Sequence, residues 1–108
     1  MSAQKKLFRQ RFRDDCFKRD DYKCVMCGLQ SSEENCEKEL DAHHITNRKD
    51  IVNGGYVKEN GISLCEACHK KAEEFHSTGT AVPGFSIEDL YTAIKSSLEK
   101  AKKASLRL

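Results

Sequence analysis

Cys24-Val25-Met26-Cys27 and Cys65-Glu66-Ala67-Cys68-His69 are the two stretches on which the fold of this 108-residue chain turns. A two-residue gap lets both thiolates of a pair turn toward one ion, and two such pairs complete a tetrahedral four-sulfur shell suited to zinc. The six cysteines form an even set, so three disulfides are the rival reading. That framework belongs to oxidising compartments, and nothing in the chain directs it to one. The opening Met1-Ser2-Ala3-Gln4-Lys5-Lys6 has no apolar stretch behind its basic residues and predicts no secretory leader. No apolar run approaches the ~20 residues that a membrane span requires. The expectation is an intracellular chain without membrane contact, with structural Zn²⁺ on Cys24, Cys27, Cys65 and Cys68. Cys16 lies in an apolar-periodic stretch and reads as a small core residue; Cys36 sits among acidic residues and reads as a loop thiol.

Working outward, length and composition allow one small domain over 1–108: 38% of residues are apolar, 33% charged, with one Pro and no Trp. So small a core is marginal without a metal or disulfide staple. The net charge of +2 hides an asymmetry: residues 1–24 and 95–108 each carry a net +4, and the stretch between them carries −6. Basic ends around an acidic centre suit a protein that grips phosphates at its flanks and holds cations in its middle.

Phe8, Phe12 and Cys16 recur every four residues, with Phe17 beside them, and predict a helix over 4–19. Residues 28–37 are polar and read as a loop. Residues 39–45 alternate as a short strand, Gly54-Gly55 marks a turn, and Ile62-Ser63-Leu64 is a second extended piece running into the second cysteine pair. Good helix formers run from Glu66 to about Phe75. After a loop over 77–85, Ser86 with acidic residues behind it starts a final amphipathic helix over 86–105, whose apolar face is Ile87, Leu90, Tyr91, Ile94 and Leu98.

Three of the four histidines stand where a zinc staple alone does not explain them. His43 and His44 are adjacent on the first strand, and His69 follows Cys68 at the start of a helix, with Asn60 just before the second strand. Two imidazoles on such elements facing one groove can hold a divalent ion and leave positions open for water and a phosphate oxygen.

The order Cys24-x-x-Cys27, Asp41-Ala42-His43-His44-Ile45, Gly54-Gly55, then Glu59-Asn60-Gly61-Ile62-Ser63-Leu64-Cys65-x-x-Cys68-His69 resembles the HNH endonuclease family, over about residues 16–76. The resemblance implies a small α+β fold: a ββα-metal finger with a structural four-cysteine zinc site, flanked here by an N-terminal and a C-terminal helix. It implies His43 and His69 as ligands of a catalytic divalent ion (Mg²⁺, Mn²⁺, Ni²⁺ or Zn²⁺) and His44 as general base. Asn60 would brace the loop and orient that base. The third ligand is left open among Glu73, one helical turn and a little beyond His69, His76, and the less favoured Asp41. Asn47 and Asn53 are rivals for the bracing role, but neither precedes Gly-Ile-Ser-Leu.

Arg9, Arg11, Arg13 and Arg19 before the first cysteine pair, with Arg48 and Lys49 after the histidine doublet, form the candidate phosphate-binding set, and Arg9, Arg13, Arg19, Arg48 and Lys49 are the expected DNA contacts. The function implied is hydrolysis of DNA phosphodiesters, by nicking or double-strand cleavage, leaving a 5′-phosphate and a 3′-hydroxyl. Double-stranded DNA is the expected partner, with a homodimer or a larger phage or bacterial assembly as further partners, and the cytoplasm of a bacterium or phage-infected host as the expected place. The alternatives are a zinc-stabilised nucleic-acid-binding module that cuts nothing, and a nuclease active only within a larger assembly.

Overall fold

The computed structural model describes residues 2–108, with side chains from residue 5 onward. The leader reading, which rests on Met1 and its neighbours, lies outside the described side chains. The order of elements is α1 (Ser2–Arg19), α2 (Cys36–Glu39), β1 (Asp41–His44), three short 3₁₀ turns (Arg48–Asp50, Val52–Gly55, Lys58–Asn60), β2 (Gly61–Leu64), α3 (Glu66–Thr78), α4 (Ile87–Ala93) and α5 (Leu98–Leu106). No described helix is long and apolar enough to cross a membrane.

Two short antiparallel strands form the centre, in the register Asp41↔Leu64, Ala42↔Ser63, His43↔Ile62 and His44↔Gly61. β2 is buried along its whole length because helices cover it from both sides. α3 follows β2 directly, and it ends at Gly79, whose left-handed conformation (φ +83°) returns its N–H to the carbonyl of Phe75. Phe12, Cys16 and Phe17 of α1 are buried as their spacing predicts, while Phe8 is more than a third exposed and lies at the edge of the stripe. α1 is fastened at its C-terminal end. Arg19 pairs with Asp20 at 2.7 Å and donates to the carbonyl of Gly61 at 2.7 Å and to that of Lys58; Asp20 accepts from the Ser63 N–H at 3.0 Å. Gly61 is the point of closest approach, where a Cβ would overlap the Cys16 sulfur and the Phe12 ring.

Two expectations need correction. The final helix over 86–105 is two helices. Ser86 and Asp89 form the expected capping box on α4, but the chain then turns through Lys95 (φ +58°), and Ser97 accepts from the Lys100 N–H to start α5. Ser96 donates to the Glu59 carbonyl at 2.8 Å, which holds the break against the 3₁₀ turn before β2. The apolar face changes accordingly. Leu98 is exposed, and Ala101 and Ser105 turn inward, Ser105 donating to the Val52 carbonyl and accepting from the Gly55 N–H. Cys36, read as a loop thiol, opens α2 and is 5% exposed; the polar stretch before it folds back because Ser32 accepts from the Asn35 and Cys36 N–H groups.

Candidate active site

Strand alternation divides β1 into two working faces. Asp41 and His43 meet α3, where His69 and Glu73 lie one turn apart. His44 turns the other way, onto α1. A donor atom from each of His43, His69 and Glu73 lies within 4.8 Å of the others. His43 Nδ1 is 3.8 Å from one Glu73 oxygen, and His69 Nε2 is 3.9 Å from the other. Asp41 Oδ2 sits 3.1 Å from His69 Nδ1, which fixes the ring and leaves Nε2 free to ligate. Asp41, weighed as a ligand, thus sits against His69, and Glu73 is the carboxylate beside both imidazoles. His43 is 3% exposed, and burial first, then the neighbouring His69, His76 and His44, push its pKa down to about 3. Two imidazoles and a carboxylate are a donor set that fits a borderline divalent ion.

His44 lies against the wall of the same cleft. The Phe12 ring stacks on it with centroids 4.3 Å apart and planes 22° apart, and Tyr56 meets it edge-on at 4.8 Å. Burial, then the Arg48 charge and His76, push its pKa down to about 4, so it is neutral near pH 7. Its Nε2 is buried without a hydrogen-bond partner. His76 reaches the His44 carbonyl at 3.4 Å and completes the wall.

Asn60 is fully buried and uses its whole amide. Oδ1 accepts from the Thr46 N–H (2.9 Å) and the Tyr91 hydroxyl (2.7 Å); Nδ2 donates to the carbonyls of Thr46 (3.1 Å) and Gly55 (3.2 Å). The Asn60 backbone carbonyl also accepts from the Ile45 N–H. These bonds brace the chain just after the histidine doublet. Of the rival asparagines, Asn53 donates to the Ser105 carbonyl and anchors α5, and Asn47 lies on the cleft wall without bracing it.

The cleft has a volume of about 570 Å³, and its walls include His43, His44, His69 and Glu73 together with Arg9, Arg13 and Arg48. Arg48 donates to the Tyr56 hydroxyl at 2.8 Å; although burial pushes that hydroxyl up, the Arg48 and Arg9 guanidinium groups hold its pKa below the usual value. Arg13 faces Glu37 at 3.5 Å. Arg19 and Lys49 lie off the cleft wall. Arg19 bonds to Asp20 and to the carbonyls of Lys58 and Gly61, and Lys49 is exposed on the 3₁₀ turn.

Behind β2, the sulfurs of Cys24, Cys27, Cys65 and Cys68 lie within 4.8 Å of one another, Cys27 and Cys65 at 3.6 Å, and all six cysteines are free thiols. A tetrahedral zinc with Zn–S near 2.3 Å requires sulfur–sulfur edges of about 3.8 Å, so the cluster fits. Burial pushes Cys24 up, but hydrogen bonds from backbone groups of Cys65, Cys27 and Met26 outweigh it and bring the thiol down to about 7. Burial and the neighbouring thiols push Cys68 the other way.

Sequence reasoning missed three members of this site. Phe12 and Tyr91 read only as apolar-stripe residues, and the one signal for Tyr56 is that it follows the Gly54-Gly55 turn directly.

Two strands and a helix converge on two imidazoles and a carboxylate, with a four-thiol cluster behind them, and each cluster could hold a metal ion. Residues 24–75 match the family model described as HNH endonuclease, and this core belongs to that family. A nuclease or nucleic-acid-related function goes with it. No curated protein and no solved structure matches the chain significantly.

Proposed function

We propose that the protein is a metal-dependent endonuclease that hydrolyses DNA phosphodiesters. The observation that carries this reading is the convergence of His43, His69 and Glu73 in the same cleft wall as a neutral His44. A metal-free binding module gives these groups nothing to do. His43, His69 and Glu73 would hold the divalent ion, Mg²⁺, Mn²⁺, Ni²⁺ or Zn²⁺; when bound, it supplies polarisation of the scissile phosphate and stabilisation of the leaving 3′-oxygen. Asp41 keeps the His69 tautomer fixed. His44 takes the proton of the attacking water; its Nε2 is sealed in protein, which leaves Nδ1 as the nitrogen for the cleft. Asn60 holds the residues following His44, so the base returns to one position after each turnover. Arg9 and Arg48 face the phosphates flanking the scissile bond, and duplex binding is therefore salt-dependent. The products are a 5′-phosphate and a 3′-hydroxyl.

The test is nicking of supercoiled plasmid by the zinc-loaded chain with Mg²⁺, Mn²⁺ or Ni²⁺ added separately, beside a His44→Ala protein that retains its zinc and its fold. Metal-dependent conversion to open circle, lost in His44→Ala, is the expected result. DNA bound but uncut by both proteins refutes the nuclease reading.

A further inference from the structure

Beyond the ββα core, α1 contributes to the catalytic wall itself. Phe12 is 3% exposed, yet its ring is not merely core: one face stacks on the His44 imidazole at 4.3 Å, and Tyr56 closes the other side of the pair, edge-on to both rings at 5.9 Å and 4.8 Å. Among the described residues none hydrogen-bonds His44 Nε2, which is buried and unpartnered. Rotation about the side-chain bonds is opposed instead by flat surfaces on two sides. The clamp is held at a defined height. Arg19 and Asp20 tie the end of α1 to Gly61 and Ser63 of β2, and Gly61, directly opposite His44 in the register, has no room for a Cβ under Phe12.

We infer that Phe12 is a positioning residue for the general base, so that α1, which lies before the family-matched residues 24–75, completes the catalytic site. The inference rests on the nuclease reading for its catalytic consequence and on geometry alone for the clamp. Phe12 acts through the orientation of His44, on whose ring it stacks.

Two measurements on the zinc-loaded full chain decide it. In NMR spectra of the wild type, the His44 ring protons are expected upfield of a free imidazole, with nuclear Overhauser contacts to the Phe12 ring. Phe12→Leu keeps an apolar side chain without a ring. It is expected to remove that shift and to lower kcat for plasmid nicking by about 10–100-fold, the scale of a small misplacement of a reacting group. Duplex affinity measured without added divalent ion stays within about twofold, since the interaction lost is not a binding contact. Phe12→Tyr restores both the shift and kcat. The inference is overturned if the wild-type His44 protons show neither upfield shift nor contact to Phe12, a result that holds even if Phe12→Leu fails to fold. It is also overturned if Phe12→Leu leaves kcat unchanged, or lowers kcat and affinity in parallel. Should the wild type nick nothing, the nuclease reading falls while the clamp is still decided by the spectra: a shift lost in Phe12→Leu sustains it, and an unmoved shift removes it.

Discussion

Tyr91→Phe removes one oxygen from the buried polar cluster around Asn60. The hydroxyl donates to Asn60 Oδ1 at 2.7 Å and accordingly accepts from Thr46 Oγ1 at 2.6 Å. Tyr91 is 4% exposed, Thr46 8% and Asn60 0%, so water does not replace what is lost. The ring stays, and the apolar contacts of α4 with it. Asn60 Oδ1 retains the Thr46 N–H, but the Thr46 hydroxyl is left without its partner. One buried hydrogen-bonding group left unsatisfied costs about 1–3 kcal/mol. For a domain of this length that lowers Tm by roughly 5–20 °C. Asn60→Ala breaks four side-chain bonds at once and costs more. Because the two residues share one network, the double variant falls short of the sum by about 0.5–3 kcal/mol. Thermal unfolding followed by circular dichroism, at fixed free zinc, measures all three proteins. A Tyr91→Phe protein melting with the wild type, or strict additivity with Asn60→Ala, refutes the coupled network.

Three further outcomes follow from the structure. Glu73→Gln replaces the carboxylate shared by both imidazoles and is expected to abolish tight Mn²⁺ or Ni²⁺ binding in calorimetry on the zinc-loaded chain. Asp41→Asn, acting only through His69, lowers that affinity by about 10–100-fold, and unchanged affinity in either variant removes the proposed ligand set. Burial pushes the Cys16 thiol up to about 12 from 9.0. The folded state therefore holds this proton when the unfolded state has released it, so the contribution is complete below pH 9 and fades as pH rises toward 12. At about 1.4 kcal/mol per unit, roughly 2–4 kcal/mol is lost across that window, and Cys16→Ala flattens the alkaline fall in urea-unfolding stability; an identical fall in both proteins refutes the assignment.

What was legible in the sequence is what acts locally. The Cys-x-x-Cys pairs declare themselves because two residues of spacing already set the direction of both thiols. Ser86 announces α4 because its partner, Asp89, is three residues away. The break at Lys95 is different. Ser96-Ser97 is tolerable inside a helix, and only the distant Glu59 carbonyl and the packing of Ala101 and Ser105 make the turn the better choice. Charges behave likewise. Arg9 and Arg19 look equivalent along α1, yet one reaches the cleft and the other is consumed by Asp20 and the carbonyls of β2, partners that exist only after folding. An apolar stripe reports that Phe12 and Tyr91 are buried; it is silent on the imidazole one ring meets and the amide the other hydroxyl binds.

The flanking helices follow from the size of the finger. A two-stranded sheet with one helix exposes the back of its strands and cannot bury enough apolar surface to stand alone. Zinc on the four-cysteine cluster would staple one end. α1 covers the other through Phe12, Cys16 and Phe17, and α4 supplies Leu90 and Tyr91 beneath the loop after His44. Each cover also reaches the site: α1 through the ring on His44, α4 through the hydroxyl on Asn60. Gly61 shows how little slack remains, since it pairs with His44 in the register, lies under Phe12 and Cys16, and gives its carbonyl to Arg19. Stability and site geometry therefore share the same contacts. A change on α1 or α4 that loosens the core must also move His44 or Asn60, although both helices lie outside the family-matched residues 24–75.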